Sequence, residues 1–193
     1  MNKKQINISK KRVDYIPIGP EDNLIFQPYL IIELLFNLKK HNFIGSDYFK
    51  KMKYNEDTRD LLKKAGIDNQ GLIMLSLYAL LVIPKEILEK KDYDPDFEKI
   101  NKKISDYFQN TETNYGSDTP NTNYTRHLRN ALSHGRISFI GNSHIEFKDE
   151  KVDKKKVINE FKSEINLKNV GNLIDDLQKL IIGGYLEYLK KNN

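Results

Sequence analysis

The sequence predicts a mainly α-helical domain, a helical bundle that carries a small β-hairpin or short antiparallel sheet. Three observations support this fold class. Apolar residues recur at helical spacing in several segments, one central segment is apolar nearly all round, and β-forming residues separated by turn residues occupy a short stretch within 136–167. Because the chain has 193 residues, a single domain is expected over 1–193.

The first part of the chain predicts an irregular leader followed by two helices. Prolines and glycine at 17–20 break any regular element within 1–23. Leucine and isoleucine then recur at helical spacing over Pro28–Lys40, which predicts a core helix with its proline in the first turn. A shorter helix is expected over Glu56–Ala65, and Gly66 should end it.

The middle of the chain predicts two further helices and a long loop. Residues 70–90 are apolar nearly all round in their first half, which is typical of the buried centre of a bundle. Pro84 should either kink this helix or begin a new one. Apolar residues at helical spacing over 97–108 predict an amphipathic helix, and the polar, turn-rich segment 110–123 predicts a loop.

The last part of the chain predicts the small β structure and a long helix. Residues 137–140 and 145–147 are β-formers on either side of turn residues, which indicates a hairpin. A third strand is expected near 161–167, although a helix also fits that pattern. Residues 173–185 predict the C-terminal helix, in which the glycine pair 183–184 is either a weak point or a close-packing site.

Composition narrows the class of protein. The chain has no cysteine, which excludes a disulfide framework and a thiolate metal site and allows a reducing compartment. The N-terminus lacks an apolar signal core, and the longest apolar run, residues 72–83, is interrupted by Ser76 and too short to span a bilayer. We therefore expect a cytoplasmic protein that does not enter a membrane.

The net charge is +5, from 32 basic and 27 acidic residues, a mild bias that helps to attract a polyanion. Lysines are scattered through the whole chain. The runs at 154–156 and 190–191 are typical of a solvated protein surface.

The segment 125–136 brings together polar residues that rarely cluster on a helix unless they have a function. At about 100° per residue, Leu128, Ala131 and Leu132 share one side of a helix. Polar side chains cover the other side, namely Arg126, Arg129, Asn130, Ser133 and His134. Gly135 predicts a left-handed cap, so His134 should lie in the last turn, where free carbonyls favour the protonated imidazole.

The run Arg129-Asn130-Ala131-Leu132-Ser133-His134, closed by Gly135, resembles the signature of the HEPN superfamily of small helical domains. Many HEPN domains are metal-independent endoribonucleases, and this run is similar to that of prokaryotic HEPN proteins in toxin-antitoxin and phage-defence settings. The resemblance implies a helical bundle that cleaves RNA without a cofactor. It implies Arg129, Asn130 and His134 as the catalytic residues.

A guanidinium and an imidazole supply the two chemical functions that this reaction needs. RNA supplies its own nucleophile, the 2′-hydroxyl, so cleavage needs a proton acceptor or donor and a cation for the charge that develops on phosphate. His134 exchanges protons near neutral pH, and Arg129 offers a fork of donors that matches phosphate oxygens. Asn130 either orients the histidine or binds phosphate, or it simply hydrogen-bonds a neighbouring backbone group.

Helix geometry leaves two ways for Arg129 and His134 to meet at one target. Residues five apart differ by about 140° around the axis, so Arg129 and His134 cannot both point at one small target unless the arginine curls round. Two copies facing each other would build a composite site, and the resemblance implies such a homodimer with both motifs at its interface. Arg126, Arg136 and Tyr124 are expected as flanking RNA contacts because they lie close to the motif. In a toxin-antitoxin setting, an antitoxin protein would be a further partner.

Other interpretations of the motif stand beside the enzyme. A catalytically inactive HEPN module would bind a protein or nucleic acid, and a plain helical interaction protein would use Arg129 and His134 only for capping or a salt bridge. A structural role is favoured for His127. Since His127 and His134 lie about 10 Å apart along the axis, they cannot share one metal ion, and no metal site is expected.

Overall fold

The computed structural model describes residues 19–91, 93 and 95–192, and within them helices surround one face of an antiparallel sheet. The helices are α1 (Asn23–Lys40), α2 (Asp47–Lys51), α3 (Glu56–Ala65), α4 (Gln70–Leu88), α5 (Phe97–Ile104), α6 (Tyr124–Ser133), α7 (Leu167–Leu177) and α8 (Gly184–Asn192). The strands are β1 (Phe108–Thr113), β2 (Ile137–Ile140), β3 (His144–Asp153) and β4 (Lys156–Asn166). The mainly helical fold class with a short antiparallel sheet is confirmed.

Helix α1 begins earlier than the sequence predicts. Most of the expected leader lies outside the described residues, and Pro28 stands inside the helix instead of in its first turn. Asp22, which is 3% exposed, fixes the earlier start. Its carboxylate accepts hydrogen bonds from the backbone N–H of Gly19 at 2.8 Å, from the hydroxyl of Tyr185 at 2.6 Å and from Lys91 at 2.5 Å.

Two of the predicted helices are confirmed closely. Helix α3 has the predicted bounds, because the side chain of Asn55 caps its first turn and Gly66, at φ 71°, ends it. Helix α4 is the buried centre of the bundle and runs on through Pro84, which is itself buried. By length and composition, 70–91 is long and apolar enough to cross a bilayer, and half of that stretch is buried inside the fold.

The predicted loop over 110–123 is wrong in its first part. Strand β1 occupies Phe108–Thr113 and pairs antiparallel with β4, with an irregularity between Gln109 and Glu112. Phe108 therefore belongs to a strand and not to the preceding helix, and its ring stacks on Tyr124 at 4.8 Å between centroids. Polar residues such as Thr111 are common in loops, so the sequence of β1 by itself predicts a loop. Their extended conformation depends on pairing with a strand that is distant in the sequence.

The predicted hairpin and third strand are both confirmed, and both are longer than the sequence suggests. The sheet order is β1-β4-β3-β2, with every neighbouring pair antiparallel. The helix alternative for 161–167 is wrong for most of that stretch, since β4 runs to Asn166. Fully buried side chains from the sheet join the core under α6, namely Ile145, Phe147, Phe161 and Ile165.

The C-terminal helix is continuous, but its middle is a π-helix over Gln178–Gly183 that joins α7 to α8. The glycine pair is a close-packing site. A Cβ atom at Gly184 would lie 2.9 Å from the hydroxyl of Tyr93, so a larger residue would require a shift there.

Candidate active site at the end of helix α6

Both ends of α6 are fixed by their own residues. At the start, the side chain of Asn123 accepts the backbone N–H of Arg126 at 3.2 Å. At the end, Gly135 adopts φ 64° and the N–H of Arg136 returns to the carbonyl of Ala131 at 2.8 Å. His134 is consequently the first residue after the helix and not part of its last turn, a correction of one position that leaves it beside the terminal carbonyls.

A buried ion cluster lies beneath the polar side of α6. His127 is 0% exposed. Its Nδ1 lies 2.7 Å from Oδ2 of Asp149, its Nε2 lies 2.8 Å from Oδ2 of Asp118, and its ring stacks on Phe161 with centroids 4.2 Å apart. The structural role that the sequence favoured for His127 agrees with this burial.

The two carboxylates of the cluster are ionised. Burial by itself raises the pKa of Asp118, but hydrogen bonds donated by its neighbours outweigh it and hold that pKa below its ordinary value. The same balance lowers the pKa of Asp149, through hydrogen bonds from His127 and Asn130. The ring of His127 lies within hydrogen-bonding distance of both carboxylates and so connects Asp118 to Asp149 inside the core.

Asn130 and His134 face an open polar cavity of about 520 Å³ at the end of α6. The side-chain amide of Asn130 donates to Oδ2 of Asp149 at 3.0 Å, which leaves its oxygen without a hydrogen bond to any other described residue. His134 is exposed, and within the described residues its ring forms no hydrogen bond. The cavity is lined by Tyr115, Gly116, Ser117, Arg126, Asn130, His134, Asp149, Glu150, Lys151 and Asn159.

Arg129 faces a different, mostly apolar cavity of about 260 Å³ between α4, α6 and the start of α5. It is half-buried and makes no hydrogen bond or ion pair to any other described residue. Burial lowers the pKa of its guanidinium, and the nearby carboxylates of Glu89 and Glu86 counteract part of that effect. An arginine nevertheless stays charged at neutral pH, so a guanidinium cation faces this cavity, which Glu89 also lines.

Arg126 borders both cavities. Its guanidinium donates to the hydroxyl of Ser117 at 2.9 Å and to Oδ1 of Asp118 at 3.2 Å, and its Cζ lies 5.0 Å from the centre of the Tyr115 ring. Its Nη2 also lies 3.0 Å from Nε2 of His127, and both nitrogens lie within hydrogen-bonding distance of the Asp118 carboxylate. Within one chain, Arg126, Asn130 and His134 therefore border the same polar cavity, whereas Arg129 faces the mostly apolar one.

The other two expected RNA contacts differ in their accessibility. Tyr124 is 9% exposed, with its ring against Phe108 and its hydroxyl 3.1 Å from that of Thr111, so little of its side chain is open to RNA and the expected contact stays a prediction. Burial of an aromatic ring is more favourable than its exposure to water. The short sequence distance between Tyr124 and the motif gave no indication of this burial. Arg136 is half-buried and does not line the cavity, but it donates to the carbonyl of the cavity-lining Glu150 at 2.9 Å.

Sequence reasoning missed Asp118 and Asp149, which hold the cluster together. Asp118 lies in the turn-rich segment before α6, and Asp149 lies in a part of β3 beyond the predicted hairpin. Neither stands at a motif spacing from α6, and packing of α6 against β3 is what brings Asp149 to His127. Across residues 19–91, 93 and 95–192, no group of three or more histidines and carboxylates is arranged to hold a metal ion.

Comparison with known proteins gives one match. No curated protein and no solved structure matches the chain. A family model described as HEPN pEK499 p136 matches residues 1–186, which is nearly the whole chain. This protein therefore belongs to the HEPN pEK499 p136 family of the HEPN superfamily.

Proposed function

We propose that this HEPN protein is a metal-independent endoribonuclease. The observation that carries the proposal is the open polar cavity at the end of α6, which His134 borders without a hydrogen-bond partner among the described residues. Membership of a HEPN family supports an RNA-related role in general. An accessible imidazole beside Asn130 and the Arg126 guanidinium is suited to acid–base chemistry on a phosphodiester.

The proposed reaction is attack by a ribose 2′-hydroxyl on the adjacent phosphate. The new O2′–P bond forms as the P–O5′ bond breaks, which leaves a 2′,3′-cyclic phosphate on one fragment and a 5′-hydroxyl on the other. His134 removes the proton from the 2′-hydroxyl or delivers one to the leaving 5′-oxygen. A guanidinium stabilises the charge on the phosphate oxygens, and Asn130, anchored by Asp149, offers its free oxygen for positioning.

We propose a homodimer in which Arg129 of one copy and His134 of the other act on the same phosphate. The support is geometric, since within one chain these side chains border separate cavities. A half-buried guanidinium that forms no ion pair with any described residue is suited to meet an anion. Arg126, which borders both cavities, and Arg136, which donates to the carbonyl of the cavity-lining Glu150, are the proposed flanking contacts to RNA.

The proposed setting is a prokaryotic toxin-antitoxin or phage-defence system in the cytoplasm, where an antitoxin partner would restrain the nuclease. Its support is the similarity of 128–135 to HEPN proteins of such systems. The mild positive charge of +5 favours a polyanionic substrate.

A labelled RNA incubated with purified protein and a chelator tests the nuclease proposal. Cleavage with cyclic-phosphate ends is expected, and His134→Ala should abolish it. His41→Ala is the matched control, because His41 is an exposed histidine at the end of another helix, α1, and should be silent. A strict requirement for added divalent ions, or full activity in His134→Ala, would contradict the proposal.

A catalytically inactive module that binds RNA or a protein is the second candidate. The separation of Arg129 from His134 within one chain favours it, because a site without its main cation is a weak catalyst. The same assay distinguishes the two functions, since a binding module would retain RNA without producing any cyclic-phosphate ends.

A further inference from the structure

We propose that the tip of the β3–β4 hairpin is an electrostatic contact for single-stranded RNA that leads into the polar cavity. The inference rests on the proposed action on RNA and adds a substrate-binding surface to it. The hairpin tip is defined as residues 151–156, with the sequence Lys-Val-Asp-Lys-Lys-Lys, which contains four lysines and one acidic residue. All six residues are exposed.

The first argument is continuity with the candidate site. Lys151 pairs with Asn159 across the two strands, and both residues line the cavity that His134 borders. The turn lies three residues further along the strand, at about 3.4 Å per residue, so its lysines stand roughly 10 Å beyond the cavity edge. A strand of RNA seated at His134 that leaves the cavity on this side would run along the hairpin tip.

The second argument concerns charge balance. The acidic residues of β3 nearer the base of the hairpin have internal partners, since Asp149 binds His127, Glu150 pairs with Arg136, and Glu146 pairs with two lysines. Within the described part of the chain, the four lysines of the hairpin tip form no ion pair, and neither do Glu160 and Glu164 on β4. With four lysines and one aspartate, the tip itself carries a net charge of +3.

The third argument is the conformation of the turn. Asp153 pairs with Lys156, so Lys154 and Lys155 form a two-residue turn, with φ values of 44° and 68°. This geometry matches a type I′ turn, which strongly favours Asn-Gly because both residues need positive φ. Lysine at both positions makes the turn less stable than Asn-Gly would, so folding does not explain the choice. Attraction of a polyanion does explain it.

The double change Lys154→Asn/Lys155→Gly separates binding from folding, because it removes two charges and installs the favoured turn sequence. The probe is a fluorescent 2′-O-methyl oligonucleotide, which keeps the phosphates of RNA but has no free 2′-hydroxyl to attack. Anisotropy titrations over a range of salt should show several-fold weaker binding by the variant. The slope of log affinity against log salt should fall by about 1.4, since each lost contact to a single strand contributes about 0.7. The melting temperature should stay equal or rise.

Two matched variants define the control. Lys154→Arg/Lys155→Arg keeps the charge and should keep the affinity. Lys190→Asn/Lys191→Asn removes two exposed lysines from the end of α8 and should leave both affinity and slope unchanged. An equal loss in the α8 variant would mean that net charge, and not this hairpin, sets the affinity, and it would overturn the inference.

The remaining outcomes are also decisive. Unchanged affinity and slope in Lys154→Asn/Lys155→Gly, or no binding by the unaltered chain, would overturn the inference. If Lys154→Asn/Lys155→Gly loses binding to phosphatidylglycerol vesicles but binds the oligonucleotide as well as the unaltered chain does, the inference is overturned in favour of a lipid surface. The exposed side chains of Val152 and Val157 would also fit contact with a lipid surface. Because the probe cannot be cleaved, a chain that binds it through the hairpin but leaves ordinary RNA intact supports this inference while the proposed nuclease function fails.

Discussion

The side-chain amide of Asn130 donates a hydrogen bond to Oδ2 of Asp149 at 3.0 Å, and the same oxygen lies 2.7 Å from Nδ1 of the buried His127. One carboxylate on β3 therefore connects the core of the protein to the polar residue that follows Arg129 in the motif. Changes at Asp149 should affect stability and the candidate site together.

Removal of this carboxylate should destabilise the protein strongly. Asp149→Ala leaves Nδ1 of the fully buried His127 without its hydrogen-bond partner, and leaving a buried polar group unsatisfied in this way costs about 1–3 kcal/mol. Urea unfolding followed by circular dichroism measures the loss. Asp153→Ala, a change at the exposed end of the same strand, is the control and should stay within about 0.5 kcal/mol of the unaltered chain. Equal stabilities of the two variants would contradict a structural role for the cluster.

Acid should weaken the fold through the same carboxylates. The pKa values of Asp118 and Asp149 are lowered below the ordinary value of 3.8 in the folded state. A lowered folded pKa gives stability that is fully present above 3.8 and is lost as the pH falls towards the folded value. Urea midpoints should thus fall steeply below about pH 4.

The carboxamide variant Asp149→Asn tests which groups cause the acid effect. It lacks one of the two titrating carboxylates, so its midpoint should be lower at neutral pH but should change less between pH 5 and pH 3. An acid response as steep as that of the unaltered chain would place the titrating groups elsewhere in the protein.

A mixing experiment tests the composite site. Arg129→Ala and His134→Ala should each be inactive, but a mixture refolded together should recover about a quarter of the original activity. Half of the randomly formed dimers are then mixed, and each mixed dimer contains one intact pair of Arg129 and His134 from different chains.

The control for that experiment replaces one partner with the double variant Arg129→Ala/His134→Ala, which cannot supply an intact pair. Its mixture with Arg129→Ala should stay inactive. If the mixture of the two single variants is also inactive although dimers form, then Arg129 and His134 do not combine across the dimer. Activity retained by Arg129→Ala alone would assign the cation to Arg126, which borders the cavity of His134 in the same chain.

The same glycine-to-alanine change should have opposite effects at two positions. Gly135 has φ 64°, where an alanine side chain is strained, so Gly135→Ala should cost about 1–2 kcal/mol and displace His134. Gly171 lies within α7 and a Cβ there meets nothing within 4 Å, so Gly171→Ala should stabilise by about 1 kcal/mol. Unfolding measurements on both variants check the signs, and a stabilising change at Gly135 would contradict the left-handed cap.

The sequence by itself determined the elements whose signals are local. The bounds of α3 follow from Asn55 and Gly66, the burial of α4 follows from its apolar composition, and the end of α6 follows from Gly135. Caps and helical periodicity depend on residues within a few positions of one another, so they can be read without knowing the fold. The HEPN family membership followed from such a stretch, since the motif is contained in one helix and its cap.

Strand pairing and packing between residues far apart in the sequence were decided only by the tertiary structure. Strand β1 exists because β4 supplies its hydrogen bonds, and the polar residues of β1 by themselves are typical of a loop. Packing also buried Tyr124, joined Asp118 and Asp149 to His127, and directed Arg129 away from the cavity of His134. Pairing across 20 or more residues is set by the shape and burial of the whole core, and no local pattern in the sequence encodes it.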